Sequence, residues 1–310
     1  MVHPSRSILP KWYAEAKFLE SEAIGATSDT THSFIFGRMY KTPSNRTYRD
    51  GNHLRINFCH LEFPYDCNGS LSEPPDNIAA TVTSMYKKCP YQSQPFEDDG
   101  AEGSVLARCV VDYTVQGDAA LVASIVDQFD GAGYKCERGL QDSVMRLVVA
   151  QKEKEKEEEP CSSARPSAVI RRLVDCDALE QLVACNAKTF GYDAAGDAGW
   201  LLAKLARQIN QPKAFSVYVA MERDKVVAFA VIYNPTDKVP DLAFVQVVGT
   251  DPDHWRQGLA SAVIRHALGQ LPAGTRVYLE AFEKHAIELY QNIGFEKVGT
   301  VHSTECMLFK

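Results

Sequence analysis

The 310-residue chain lacks the cysteine spacing of a metal or disulfide scaffold: none of its nine cysteines (59, 67, 89, 109, 136, 161, 176, 185 and 306) forms a C-x-x-C pair, and nine is odd. Neither a zinc ribbon nor a disulfide framework is expected. Cys59, His60 and Cys67 lie close in sequence but without the paired spacing of a structural zinc site, so no metal is expected. Thiols without a framework suit a reducing compartment, cytoplasmic or nuclear. The stretch from Met1 to Ala14 has no apolar run of signal-peptide length. The longest apolar stretches are strand-sized, which excludes a membrane-spanning helix. Glycine, at 19, and proline, at 15, are too few for a collagen-like or low-complexity chain. Positive charge is also short: the formal charge is −7, which argues against a dedicated nucleic-acid binder. What remains is an ordinary globular composition, 45% hydrophobic and 24% charged.

At roughly 150 residues per domain the length suggests two domains. The charge is divided accordingly. Residues 1–150 carry 14 basic and 19 acidic side chains, residues 151–160 carry 3 and 5, and residues 161–310 carry 16 of each. The run Gln151-Lys-Glu-Lys-Glu-Lys-Glu-Glu-Glu-Pro160 has no apolar residue to offer a core, and Pro160, Ser162, Ser163 and Pro166 favour a break after it. The boundary is therefore placed in a charged linker at 151–164, between an N-terminal α/β domain (1–150) and a second domain (165–310).

The second domain reads as helices at Ala178 to Phe190 and Trp200 to Ile209, then strands at Phe215 to Met221 and Val226 to Tyr233 joined by the polar turn Arg223-Asp224-Lys225. A strand at Leu242 to Val248, a helix at Leu259 to Leu268, a strand at Arg276 to Phe282 and a helix at His285 to Ile293 capped by Gly294 follow. Phe295 to Val298 and Glu305 to Phe309 read as two last strands. Such alternation implies a mixed sheet covered by helices.

The stretch that carries chemistry is Val247-Val-Gly-Thr-Asp-Pro-Asp-His-Trp-Arg-Gln-Gly-Leu-Ala-Ser. A strand ends, a short loop follows, and a helix begins at Gly258. A helix N-terminus leaves backbone N–H groups without partners and favours negative charge. Small residues there let a phosphate approach the backbone. Arg256 adds a charge-assisted contact. About thirty residues on comes Ala286-Ile-Glu-Leu-Tyr-Gln-Asn-Ile-Gly-Phe295.

Together these stretches resemble the GNAT acetyltransferase superfamily: the loop is similar to its Q/R-x-x-G-x-G/A pyrophosphate motif, the later stretch to its A-x-x-L-Y-x-x-x-G-F segment. The resemblance covers residues 168–310. It implies an α/β fold (an α+β mixed sheet) in which two strands, here Ala243 to Val248 and Arg276 to Phe282, splay apart to admit acetyl-CoA. It implies that backbone groups of Val247, Val248, Gly249 and Thr250 bond the pantetheine arm. It also implies that N–H groups of Arg256, Gln257, Gly258, Leu259, Ala260 and Ser261 cradle the pyrophosphate. Tyr290 matches the tyrosine that protonates the departing thiolate, and also lies where a packed helix aromatic would. An amine, on a small molecule or a peptide, attacks the thioester directly. That chemistry needs a proton acceptor for the amine and donors for the developing oxyanion.

Three positions depart from the family pattern. Trp255 stands at the first motif position, Glu283 stands where an Asn usually contacts pantetheine, and Phe244 stands where some members hold a base. The remaining candidates for the base are Glu280, Asp241 and His254, with direct deprotonation by water left open. The resemblance thus implies an acetyl-CoA-dependent N-acetyltransferase; the alternative is a non-catalytic CoA-binding or interaction protein.

The first half echoes the second. Ala119 to Val148 reads helix, Gly133-Tyr134, then Met145; Lys284 to Phe309 reads helix, Gly294-Phe295, then Met307. Leu54 to Phe63, Ile78 to Lys88 and Val105 to Tyr113 fit the preceding strand, helix and strand. Two readings stand: a degenerate GNAT-like unit in tandem with the second, or an unrelated α/β domain. In the first reading the loop Tyr65 to Asn77 has lost the phosphate motif. It has two consecutive prolines without N–H donors, and Glu62, Asp66, Glu73 and Asp76 repel a pyrophosphate.

Overall fold

The computed structural model describes residues 11–28, 30–34, 37–41, 54–57, 105–114, 119–150, 168–192 and 198–309. The expected helix at Ile78 to Lys88, the loops Tyr65 to Asn77 and Pro90 to Gly103, the Cys59, His60 and Cys67 grouping, and the charged run at 151–164 lie outside the described residues. The chain forms two compact units: Met1–Val144 with Val298–Lys310, and Met145–Lys297. The units thus part at 144/145 and again at 297/298, where the sequence suggests one cut at 151–164. A strand joins the unit whose ladder it completes, and ladder partners are distant in sequence.

The C-terminal unit contains the end of β5 (Lys135–Val148), then β6 (Val169–Leu173), α3 (Leu179–Phe190), α4 (Ala198–Ile209), β7 (Phe215–Glu222), β8 (Lys225–Tyr233), β9 (Leu242–Thr250), α5 (Leu259–Leu268), β10 (Arg276–Ala281), α6 (Lys284–Ile293) and the start of β11 (Glu296–Phe309). Its strands are ordered β5-β10-β9-β8-β7-β6. β6, β7, β8 and β9 are mutually antiparallel neighbours, and β10 runs parallel to β9. β6 escaped the sequence reading because its two central arginines break the apolar run and Val169 is exposed, as suits an edge strand. The turn between β7 and β8 holds Arg223 and Asp224 at φ 47° and 64°, the left-handed pair a two-residue hairpin needs. The two strands expected after α6 are one, β11: the polar stretch around Gly299 to Thr304 resembles a turn but is held as strand, with Val301 to Leu308 in continuous register against β4.

α5 buries Leu259, Val263, Ile264, Ala267 and Leu268, the spacing of one helical face. Each large side chain contributes roughly 2 kcal/mol of burial. They pack on Ala228, Ala230, Ile232, Ala243, Val245, Val277, Leu279 and Ala281, which defines the α5 face of the sheet. Alternation along the strands turns Phe229, Tyr278 and Glu280 to the opposite face, against which α3 packs.

The N-terminal unit contains α1 (Lys11–Thr27), β1 (Thr30–Phe34), β2 (Gly37–Lys41), β3 (Leu54–Asn57), β4 (Val105–Thr114), α2 (Ala119–Gly131), most of β5, and the rest of β11. β1, β2 and β3 are antiparallel in turn, β4 runs parallel to β3, and β11 runs antiparallel to β4. Gly299 lies under the indole of Trp12, which leaves no room for a Cβ. Among the described residues Cys136, Cys176, Cys185 and Cys306 form no disulfide, and Cys185 and Cys306 are buried.

Candidate active site

β9 and β10 begin as a ladder and then part. The parallel register runs Arg276 to Leu242, Val277 to Ala243 and Tyr278 to Phe244, and ends there. The paired end is pinned by Arg276, whose guanidinium meets the Asp241 carboxylate at 2.9 Å and whose N–H donates to the Asp241 carbonyl at 2.8 Å. On its other side β9 carries a bulge: Val231 pairs with Val247 but Ile232 pairs with Val245, so Gln246 is the extra residue. A bulge bends its strand and increases the twist, which carries β9 away from β10. Beyond Phe244 the β10-facing edge of β9, including Val247, Val248, Gly249 and Thr250, has no strand partner among the described residues. Such an edge can hydrogen-bond an extended amide chain.

Gly249 is required where it stands. A Cβ there would run into the ring of the fully buried Phe229 and crowd Thr189. The Thr250 carbonyl accepts a 2.9 Å hydrogen bond from the Trp255 indole, so this expected pantetheine acceptor is already used. The Thr250 hydroxyl, by contrast, is buried with no partner among the described residues.

After β9 the chain makes a short 3-10 turn, Pro252–His254, capped by the Asp251 carboxylate accepting from the Asp253 N–H at 3.0 Å. Lys188 of α3 ties this turn down through Asp251 at 2.7 Å and Asp253 at 2.6 Å. Burial of Asp251 works against its charge, yet the hydrogen bonds from Lys188 and the Asp253 N–H hold its carboxyl below the ordinary value. Arg256 at φ 61° and Gly258 at φ 75° are left-handed, and both are exposed with Gln257. Gly258 is the N-cap of α5, and its carbonyl accepts from Ala262 N–H at 3.0 Å. Helix geometry leaves the Leu259, Ala260 and Ser261 N–H groups without intrahelical acceptors, and among the described residues no side chain caps the helix. Around Gly258 the space is open to 4 Å from a built Cβ. The loop therefore fits a phosphate-bearing group.

Tyr290 on α6 packs against the α5-face core, with its ring edge-on to Phe295 at 5.8 Å between centroids. Burial pushes its phenol up to about 12. The hydroxyl has no hydrogen-bond partner among the described residues. Glu280 lies on the opposite face, two residues past the last paired position of β10. The two candidate proton-handling groups therefore flank the parted strands from opposite faces. Glu283 is the N-cap of α6 but makes no cap bond; its carboxylate turns instead to His285 at 3.0 Å. Asp241 is spent on Arg276 at the closed end. His254 sits between Glu222 at 3.4 Å and Asp251 at 3.9 Å in the 3-10 turn.

The sequence reading missed Gln208 and Gln246. Gln208 of α4 is fully buried, and its Nε2 donates to the Gln246 Oε1 at 2.5 Å. Its own Oε1 is buried without a partner among the described residues. Gln246, the bulge residue, thus stands on the Glu280 face, two residues past Phe244. A lone glutamine mid-strand carries no signal; only the break in alternation from Val245 to Val248 hints at a bulge. Among the described residues no three His, Cys, Asp or Glu cluster as metal ligands, and no helix is long and apolar enough to cross a membrane.

Residues 181–295 match the model of the acetyltransferase (GNAT) family. The [ribosomal protein bS18]-alanine N-acetyltransferase of Escherichia coli is 30% identical over 92 residues, 28% of this chain and 60% of that protein. The chain therefore spans less than two thirds of the length of this curated relative. A GCN5-related N-acetyltransferase from Kribbella flavida superposes with a TM-score of 0.57 at 11% identity, over 94% of this chain and 95% of its own. A functionally unknown conserved protein from Staphylococcus epidermidis does so with a TM-score of 0.53 at 12% identity, over 88% and 92%. These structures share the fold. The parted strands, the uncapped helix and the matched sequence fall in the same stretch, and residues 181–295 form a domain of the acetyltransferase (GNAT) family.

Proposed function

We propose that this protein transfers an acetyl group from acetyl-CoA to an amine, and that the C-terminal unit does the chemistry. The observation that carries this reading is the end of β9–β10 pairing at Phe244 and Tyr278, just ahead of an uncapped helix N-terminus. In this reading the free edge of Val247 to Gly249 hydrogen-bonds the pantetheine amides, and the Thr250 hydroxyl adds a donor. The Leu259, Ala260 and Ser261 N–H groups bind the pyrophosphate, with Arg256 and Gln257 above them. Glu283, turned to His285, contributes little. Acetyl-CoA supplies the acetyl group as an activated thioester.

The two faces then divide the proton traffic. Glu280 accepts, directly or through water, the proton the amine loses as its nitrogen bonds the acetyl carbon. Tyr290 holds a proton at its hydroxyl for the sulfur as the C–S bond breaks. Its raised pKa keeps that proton in place at neutral pH. Gln246, held by Gln208, presents an amide on the side from which the amine enters.

The N-terminal unit, in the same reading, is a degenerate copy of the acetyltransferase unit. The support is its strand succession, antiparallel, antiparallel and parallel from β1 to β4, which repeats that of β7 to β10. Its acidic composition favours a cationic acceptor.

The test is release of CoA thiol in the presence of an amine panel: polyamines, aminoglycoside-type amines, lysine peptides and, because the E. coli relative acts on an alanine of a ribosomal protein, alanine-bearing peptides. Turnover with at least one amine supports the proposal. Binding of CoA with no turnover on any of them would favour a non-catalytic CoA-binding protein.

A further inference from the structure

A cavity of about 540 Å³ lies at the other end of α5, and its lining shares no residue with the site of the proposed acetyl transfer. α5 spans ten residues, about 15 Å at the usual rise, between the cofactor loop at its start and this cavity beside His266 in its last turn. The cavity follows from the strand faces. Tyr218 and Ala220 of β7 lie under α5, but α5 ends at Leu268, so Ser216 at the start of β7 is left uncovered and lines the cavity.

On the edge strand β6, Arg172 is paired with Tyr218 and so projects to the same face. Its Nη2 donates to the carbonyls of Pro212 at 2.8 Å and Phe215 at 3.2 Å, which fixes the guanidinium at the cavity wall. Its Nε is buried with no partner among the described residues. Lys213 and His266 complete a cationic lining, the His266 ring lying edge-on to Tyr218 at 5.6 Å. Thr236 and Asn234 add neutral hydrogen-bonding groups. Among the described residues no carboxylate lines the cavity.

Two permanent cations and a histidine lining one cavity, with no anion among the described residues there, leave its positive charge unbalanced, and a guanidinium held on one edge is prepared for an oxyanion on another. The volume is that of a small-molecule site. We propose that this cavity binds a small molecule bearing a carboxylate or phosphate group, through Arg172, Lys213 and His266, independently of acetyl-CoA.

The test is an NMR titration of the full chain, pre-saturated with CoA, with inorganic phosphate and separately with acetate at constant ionic strength. Saturable shifts of the His266 ring and of the Ser216 and Thr236 amides are expected. Lys213→Met and Arg172→Met should each weaken binding by about fivefold or more. Because Arg172 also holds two backbone carbonyls, His266→Gln with Lys213→Met serves where Arg172→Met does not fold. Tighter binding of phosphate than acetate assigns a phosphate ligand, the reverse a carboxylate. Absence of saturable shifts, equal binding by the variants, or disappearance of the shifts on adding CoA to a CoA-free sample would each overturn the proposal.

Discussion

α2 of the N-terminal unit and α6 of the C-terminal unit end in the same way. In α6, Phe295 N–H donates to the Tyr290 carbonyl at 3.0 Å and Gly294 N–H to the Gln291 carbonyl at 3.0 Å. In α2, Tyr134 N–H donates to the Phe129 carbonyl at 3.0 Å and Gly133 N–H to the Asp130 carbonyl at 2.9 Å. Gly294 and Gly133 are both left-handed, at φ 118° and 85°. An edge-on aromatic pair closes each cap, Tyr290 with Phe295 and Phe129 with Tyr134. Each is followed by a 14-residue strand. The caps match, but the hydroxyl does not: Phe129 stands where Tyr290 stands, fully buried and with no proton to give. The two units share a cap without sharing the hydroxyl, because a cap needs only a glycine and two aromatics, whereas proton transfer needs one particular atom.

The largest effect that sharpens this contrast is expected from Tyr290→Phe, which makes α6 resemble α2. It should lower kcat about 100-fold and leave the KM for acetyl-CoA within about threefold. Because the phenol is pushed up to about 12, the wild-type rate should show no loss from its ionisation near pH 10. A limb there that disappears in the variant would contradict the raised value, and an undiminished kcat in the variant would contradict the assigned role. The reverse change, Phe129→Tyr, should add no activity and lower stability by about 1–3 kcal/mol, the cost of a buried hydroxyl without a partner.

Next come the two crowded glycines. Gly249→Ala drives a methyl into Phe229 and Gly299→Ala drives one into Trp12, and each should cost about 1–3 kcal/mol in a denaturant melt. Equal losses would show that the two units are packed to the same tolerance. Gly258→Asp places a carboxylate at the α5 N-terminus and should weaken CoA binding by about tenfold or more, read by calorimetry. Gly131→Asp, at the exposed end of α2, should leave it unchanged within about twofold.

The smallest effect concerns the turn tied by Lys188. The Asp251 carboxyl lies below its ordinary value in the folded protein, so its contribution is present above about pH 3.8 and is lost as pH falls through the lower folded value. The difference in Tm between wild type and Lys188→Met should therefore shrink as pH is taken below 3.8.

Much of the C-terminal unit was legible from local signals. α5 was read with its observed limits, because an apolar stripe, a starting glycine and a following Gly269 agree with one another. The loop before α5 was legible as a strand–turn–helix, because a glycine and small residues gather where the apolar stripe of the helix begins. The positions of β6 and of the middle of β11 were not, since arginines and a Gly-Thr-His-Ser-Thr stretch carry no strand signal until a neighbouring ladder holds them. Glu280, Asp241 and His254 look equally suitable as a base in the sequence; Arg276, which pairs with Asp241, and Glu222, which lies against His254, are distant in sequence and meet them only on folding.

By itself the sequence determined the helix starts, the glycine-led turn before α5 and the place of the tyrosine on α6, all of which depend on residues within a turn or two of one another. The tertiary structure decided where the last strands belong, that β9 leaves β10 after Phe244, and that Gln208 reaches Gln246. Those outcomes depend on ladder partners and buried neighbours brought together from separate segments, and no local pattern encodes which partner a strand edge or a buried amide will meet.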